Sequence, residues 1–231
     1  MFKIYQMNTW ATHLFSFYGD LKPPKNLPAG IEWLYPQKSV QVMEIVKSFL
    51  GKYYNDRNPR RILLGINPGR FGAGVTGVNF TAPKQLRELC GIDHEFKPQS
   101  ELSAEFIYEM ITAYGGTKKF YGSYFIGSVC PLGFVKQGRN INYYDDKELL
   151  KIVEPFIIEN LKKLIDFNTD KSAVYSIGGE KNFRYLSSLN NRFRWFGPVE
   201  PLPHPRFIMQ YKGRQKQQFI QQYLQLITKT G

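Results

Sequence analysis

Residues 61–83 read RILLGINPGRFGAGVTGVNFTAP. The first six, Arg61–Ile66, form a short apolar run closed by turn residues, the pattern of a strand buried on both faces. A glycine-rich loop follows from Asn67 to about Pro83, and Lys84–Leu89 opens a helix. Strand, loop and helix in that order make one half of a parallel βαβ unit. The alternation continues on both sides. Upstream, a short helix at Trp10–Tyr18 gives way to the loop LKPPKNLPAG, and Ser39–Tyr53 carries apolar residues at helical spacing. Downstream, Ser103–Tyr114 predicts a helix, Tyr124–Val129 a second buried strand and Asp146–Phe167 a long amphipathic helix. Ser172–Ile177 follows as a third strand, Glu180–Leu189 as a helix, Arg194–Glu200 as the segment holding a fourth strand, and Gln215–Thr228 as a basic helix. This order predicts an α/β fold: a three-layer α/β/α sandwich around a mostly parallel four-stranded sheet, in one domain over residues 1–231. Ligands of such sheets bind beyond the carboxyl ends of the strands. The loops after Ile66, Val129, Ile177 and Glu200 are therefore where chemistry is expected.

Composition narrows the function. The formal net charge is +12, from 31 Lys and Arg against 19 Asp and Glu, which suits a polyanionic partner because phosphate contacts release condensed counterions. A basic surface also serves solubility, so charge alone does not decide for nucleic acid. Two cysteines, Cys90 and Cys130, make no disulfide framework and cannot supply the ligands of a zinc or iron–sulfur site. The opening MFKIYQMNTWATHLFSFYGD lacks the continuous apolar stretch of a signal peptide, and no segment approaches the ~20 apolar residues that span a bilayer. The chain reads as a soluble intracellular protein.

Gly72-Ala73-Gly74-Val75-Thr76-Gly77 matches G-x-G-x-x-G, but it begins six residues after Ile66 and runs into Asn79-Phe80-Thr81-Ala82-Pro83. A dinucleotide fingerprint sits at the strand-to-helix turn and opens the helix directly. No cofactor is expected. The wider segment is more specific: Gly65-Ile66-Asn67-Pro68-Gly69-Arg70-Phe71-Gly72, continuing to Thr76-Gly77-Val78-Asn79-Phe80, resembles the first motif of uracil-DNA glycosylases, closest to the single-strand-selective monofunctional branch. That branch has Pro where this chain has Asn79. Phe125-Ile126-Gly127-Ser128-Val129-Cys130-Pro131-Leu132 resembles the branch's second-strand segment, and His204-Pro205 its second catalytic motif, here continued by Arg206-Phe207 rather than Ser-Pro. Alone, Asn-Pro-Gly is an ordinary turn and PLPHPRF a rigid loop; it is their order and joint presence that carry the resemblance.

The resemblance implies a monofunctional, metal-free DNA glycosylase of base excision repair, acting as a monomer on single- or double-stranded DNA. Cutting the glycosidic bond leaves negative charge on the departing base and positive charge on the sugar, so a site must stabilise a carbonyl oxyanion and place one water. His204 is implied as the donor to the base O2 and Asn67 as the holder of the water. An amide cannot take a proton as a carboxylate can, so Asn67 is a positioner, and a slower enzyme than relatives with Asp is expected. Backbone amides of the Gly69–Phe71 turn are candidates for a second base carbonyl, and Phe80 for stacking on the flipped base. Gly65, Ile66, Pro68, Arg70 and Phe71 complete the substrate-binding loop. Gly69 stands where strict uracil enzymes place a Tyr against C5, and Ser128 where the branch has an Asn reading the Watson–Crick edge. A hydroxyl donates or accepts by rotation, so a wider range is expected: uracil with 5-substituted uracils or deaminated purines.

An extruded base leaves a gap to fill. The loop Pro205–Arg214 is the expected wedge and phosphate grip, through Pro205, Arg206, Phe207, Lys212 and Arg214. Lys136 and Arg139, after the second strand, form another basic candidate. Two further readings stay open: a catalytically weak binder of damaged or single-stranded DNA on the same fold, and, from the glycines alone, a phosphate- or nucleotide-binding α/β enzyme.

Overall fold

Four strands run side by side in the order β3-β2-β6-β7, and every pairing is parallel. They are β2 (Arg60–Gly65), β3 (Tyr124–Ser128), β6 (Thr169–Ile177) and β7 (Val199–Leu202). The computed structural model describes residues 8–99 and 101–229; residues 1–7, part of the stretch read above for a leader, lie outside them. The central strand β2 is the apolar run from which the sequence reading began. Its Ile62, Leu63 and Leu64 are wholly buried, each worth about 1.5–3 kcal/mol over an exposed side chain.

Helices cover the sheet and supply the expected three layers. They are α1 (Trp10–Gly19), α2 (Val40–Tyr53), α4 (Pro83–Glu88), α5 (Leu102–Tyr114), α6 (Thr117–Ser123), α7 (Lys147–Ile165), α8 (Glu180–Phe193) and α10 (Lys216–Lys229), with a one-turn α3 (Ala73–Thr76) and a short α9 (Pro205–Tyr211). Trp10 of α1 stacks on Phe125 of β3 at 6.0 Å, and Phe106 of α5 meets Tyr223 of α10 edge-on at 5.1 Å. Asp146 caps α7 by accepting from the amides of Glu148 and Leu149, which is why the long amphipathic pattern begins there.

Besides α3 and α6, which the sequence reading does not contain, three parts differ from it. First, a small antiparallel sheet, β1 (Ile31–Leu34), β4 (Gly133–Lys136) and β5 (Arg139–Ile141), stands beside the main one. Its strands have only three or four residues, too few for a period-two pattern to register. Second, the fourth strand starts at Val199 rather than within 194–198. Arg194 ends α8 in the left-handed region, and the Asn190 amide holds the Phe196 and Gly197 carbonyls, so those residues are a turn. Third, the expected loop after His204 begins as helix α9: His204 is its N-cap and Pro205 its first residue, a position where the missing proline N–H costs nothing.

One buried cation anchors β2. The Arg60 side chain is wholly inaccessible and spends every guanidinium N–H on carbonyls of Tyr121, Asn58 and Tyr53 or on the Asp56 carboxylate, at 2.7–3.3 Å.

Candidate active site

The loops that leave the carboxyl ends of β2, β3 and β7 meet over one cleft of about 420 Å³. Parallel pairing continues past the strands: the Val129 amide donates to the Gly65 carbonyl at 2.9 Å and that of Cys130 to Ile66 at 3.1 Å. The first loop is thereby tied to the second.

Asn67 enters this cleft with its amide orientation fixed. Its Oδ1 accepts from the Tyr143 backbone N–H at 3.1 Å, and its Nδ2 donates to the Ile141 carbonyl at 3.2 Å. The carbonyl oxygen keeps a second lone pair, the acceptor that a water-holding group needs. Two backbone partners of opposite polarity also favour an amide over a carboxylate, whose second oxygen would face the Ile141 carbonyl.

Phe80 lies in the same cleft, with φ at +52°. An aromatic residue in the left-handed region is held there by its surroundings, and such strain concentrates at functional sites. Here the holders are Thr76, whose Oγ1 donates to the Thr81 carbonyl at 2.6 Å, and the bare backbone of Gly65 under the ring. A Cβ on Gly65 would lie 2.6 Å from Phe80 Cε2. Gly65→Ala is therefore expected to push the ring out of its seat and weaken stacking on a base, by up to about 1–3 kcal/mol. Steady-state base release compared with Gly51→Ala, a control whose Cβ meets nothing within 4 Å, checks this: equal rates for the two variants would contradict it.

His204 lines the same cleft. Its Nδ1 accepts from the Arg206 backbone N–H at 3.1 Å, so the neutral ring carries its proton on Nε2. Burial, with a smaller push from the Arg206 charge, lowers its pKa to about 4 against the opposing pull of Glu101. A neutral imidazole presenting Nε2–H can donate to a developing oxyanion without first acquiring a charge.

The cleft brings together Asn67, His204, Ile66, Pro68, Gly69, Phe71, Phe80, Ser128 and Arg206 from the sequence-based candidates, with Gly65 beneath Phe80. The Arg70 amide is taken by Asn140 Oδ1 at 3.2 Å, which narrows the expected amide cradle to Gly69 and Phe71. The Arg70 guanidinium lies over the Phe71 ring at 4.4 Å. Lys136 and Arg139 pair across the β4–β5 hairpin and are exposed at its end, with Arg70 close to Gly138 in the turn. On α9, Phe207 is 45% exposed, Ile208 is fully buried in the core, and Lys212 and Arg214 are exposed beyond the helix. Of the apolar side chains in the expected wedge segment Pro205–Arg214, Phe207 and partly buried Met209 thus remain accessible. Arg206 pairs with Glu101 at 3.0 Å.

Sequence reasoning missed several lining residues: Asn79, Glu101, Ser103, Asn140, Asn142, Tyr144 and Gly179. Glu101 caps α5 through the Ala104 amide; an acid preceding a helical run is a legible cap signal, though not one that reveals a cleft. Asn140, Asn142 and Tyr144 arrive on and behind the small-sheet hairpin, whose strands were too short to read. The G-x-G-x-x-G match resolves into packing. A Cβ on Gly74 would lie 2.8 Å from the Gly69 carbonyl, and Gly77 turns at φ +73° against Val42.

Residues 52–228 match the family model described as "Uracil DNA glycosylase superfamily". Among solved structures, the chain is similar to "The crystal structure of WT Pedobacter heparinus SMUG2" at a TM-score of 0.92 and 42% sequence identity, over 96% of this chain and 98% of that one. No curated protein matches it.

Proposed function

The chain belongs to the uracil DNA glycosylase superfamily, and from that premise we propose that it is a monofunctional DNA glycosylase, acting as one domain and as a monomer on intracellular DNA, that flips a deaminated or otherwise modified base and hydrolyses its N-glycosidic bond. The observation that carries this reading is the convergence of Asn67 and Phe80, from the loop after β2, with His204, from the distant loop after β7, on a single cleft at the carboxyl end of a parallel sheet. Phe80 takes the face of the extruded base. The Nε2–H of His204 donates to the departing base, at O2 in uracil, as negative charge grows there, and Asn67 Oδ1 orients the water that adds to the sugar. Bond breaking runs ahead of water attack, because the Asn67 amide cannot take the water's proton and the oxygens of Glu101, the carboxylate lining the cleft, are engaged by Ser103, the Ala104 amide and Arg206. Gly69, whose missing Cβ would meet only Asn140 Nδ2 at 3.4 Å, leaves room for a substituent at C5. Lys136, Arg139 and Arg70 at the hairpin and Lys212 and Arg214 beyond α9 grip phosphates on two sides, with Phe207 in the gap left by the base.

The test is release of free base from single-stranded and duplex oligonucleotides carrying uracil, 5-hydroxymethyluracil, hypoxanthine or xanthine, with abasic sites read by alkaline cleavage. Release of uracil and of at least one larger or purine lesion is expected. Tight binding of the same oligonucleotides without release of any base would replace this reading with that of a damage-binding protein.

A further inference from the structure

Ser128 was expected to act as a free rotor, donating or accepting as the base demands. The fold removes that freedom. Its Oγ donates to Asn79 Oδ1 at 2.7 Å, while Asn79 Nδ2 contacts the buried Tyr18 hydroxyl at 3.4 Å. The amide oxygen thus faces the serine and the amide nitrogen the phenol. The hydroxyl has one proton, and Asn79 holds it. Both side chains line the cleft shared with Asn67 and His204.

We propose that Asn79 is a specificity-determining residue that turns Ser128 into an obligate hydrogen-bond acceptor. Building on the glycosylase reading above, in which Ser128 meets the Watson–Crick edge, the site then takes bases that present a ring N–H beside a carbonyl. Uracil does so at N3, hypoxanthine and xanthine at N1: the lactam edge that deamination creates. Cytosine and adenine present a bare ring nitrogen there, and acceptor facing acceptor leaves both lone pairs unpaired in a partly dehydrated site. Thymine and guanine carry the N–H too, so this acceptor sorts bases by their edge alone and does not separate those two from uracil and hypoxanthine. The amide that the sequence lacks at position 128 is in effect supplied from position 79, one layer further back and through the serine.

The experiment measures binding rather than turnover, on single-stranded oligonucleotides with one 2′-fluoroarabino-uridine or 2′-fluoroarabino-cytidine, whose fluorine disfavours the positive sugar and so blocks cleavage. The wild-type protein is expected to prefer the uridine site. Asn79→Ala frees the serine proton and lowers that preference by about tenfold; Asn79→Asp, which keeps an acceptor for the proton, retains it; Ser128→Ala loses it. A loop tie with no part in recognition would weaken both oligonucleotides alike in Asn79→Ala and leave the ratio unchanged, and that result overturns the proposal, as does a wild-type protein with no preference or with the reverse one. Because nothing is cleaved, this ratio can fail while base release succeeds, and the converse.

Discussion

Replacing His204 by serine is expected to slow base release by about 10²–10³-fold, the usual loss when one preorganised donor to an oxyanion is removed. Serine is chosen because His204 also caps α9 through its Nδ1. Alanine would remove the cap as well, at a cost of about 0.5–2 kcal/mol in stability. A serine oxygen keeps the cap but is too short to bring a donor to the place of Nε2–H. The same geometry fixes the pH dependence. With its pKa lowered to about 4, the ring is neutral throughout the range in which DNA repair is assayed, and on the proposed mechanism the base departs as an anion held by a neutral donor. The rate should therefore show no inflection near pH 6–7 owed to this residue. An inflection there that vanishes in His204→Ser would contradict the assignment. The stability effect has a definite sign. Between the unfolded value near ~6.5 and the folded value of about 4, the unfolded chain binds a proton that the folded one does not. Stability is thus lost as pH falls through that window and levels off below it, and His204→Ser should flatten that part of the curve.

Arg60→Met is expected to lower the free energy of unfolding by about 3–5 kcal/mol and the melting temperature by roughly 10 °C, with base preference unchanged in whatever remains folded. The methionine fills much of the space but answers none of the groups around it. Carbonyls of Tyr121 and Tyr53 and the carboxylate of Asp56 all lose donors, and the faces of Tyr54 and Trp10 lose a cation at 4.9 and 5.5 Å. Lysine does not substitute, since one ammonium cannot reproduce a planar fork that reaches several carbonyls and a carboxylate at once. Urea melts of both variants against wild type provide the check. A loss below about 1 kcal/mol would place Arg60 among ordinary surface ion pairs.

These two residues bracket what the sequence makes legible. Arg61–Ile66 declares itself because apolar side chains in a short run have few other uses, and its position directs attention to Asn67. His204 is legible only in company with that loop. Arg60 is not legible at all. In RNPRR it reads as one more surface cation, and its burial depends on carbonyls that residues 53, 58 and 121 bring from elsewhere. Asn79 was visible as a departure from the family pattern, but its meaning needs Ser128 of another strand beside it. The helix after His204 carried a local signal, proline at a first helical position, outweighed by reading PLPHPRF as rigid. The small sheet gave none, since its strands are short and β1 pairs with β4 about a hundred residues later.

The strand order has a consequence for biosynthesis. β2 cannot acquire its second neighbour until β6 has been made, and β7, with the His204 imidazole just beyond it, comes later still. The closing helix α10 then returns to the start of the sheet, where the Ile227 carbonyl accepts from Arg61 and from the Tyr124 and Tyr175 hydroxyls. A growing polypeptide, emerging amino end first, therefore has the loop of Asn67 and Phe80 long before it has His204. Ribosome-bound intermediates stalled before residue 204 should release no base from DNA, so on the proposed mechanism the capacity to excise bases arises only once His204 has been made.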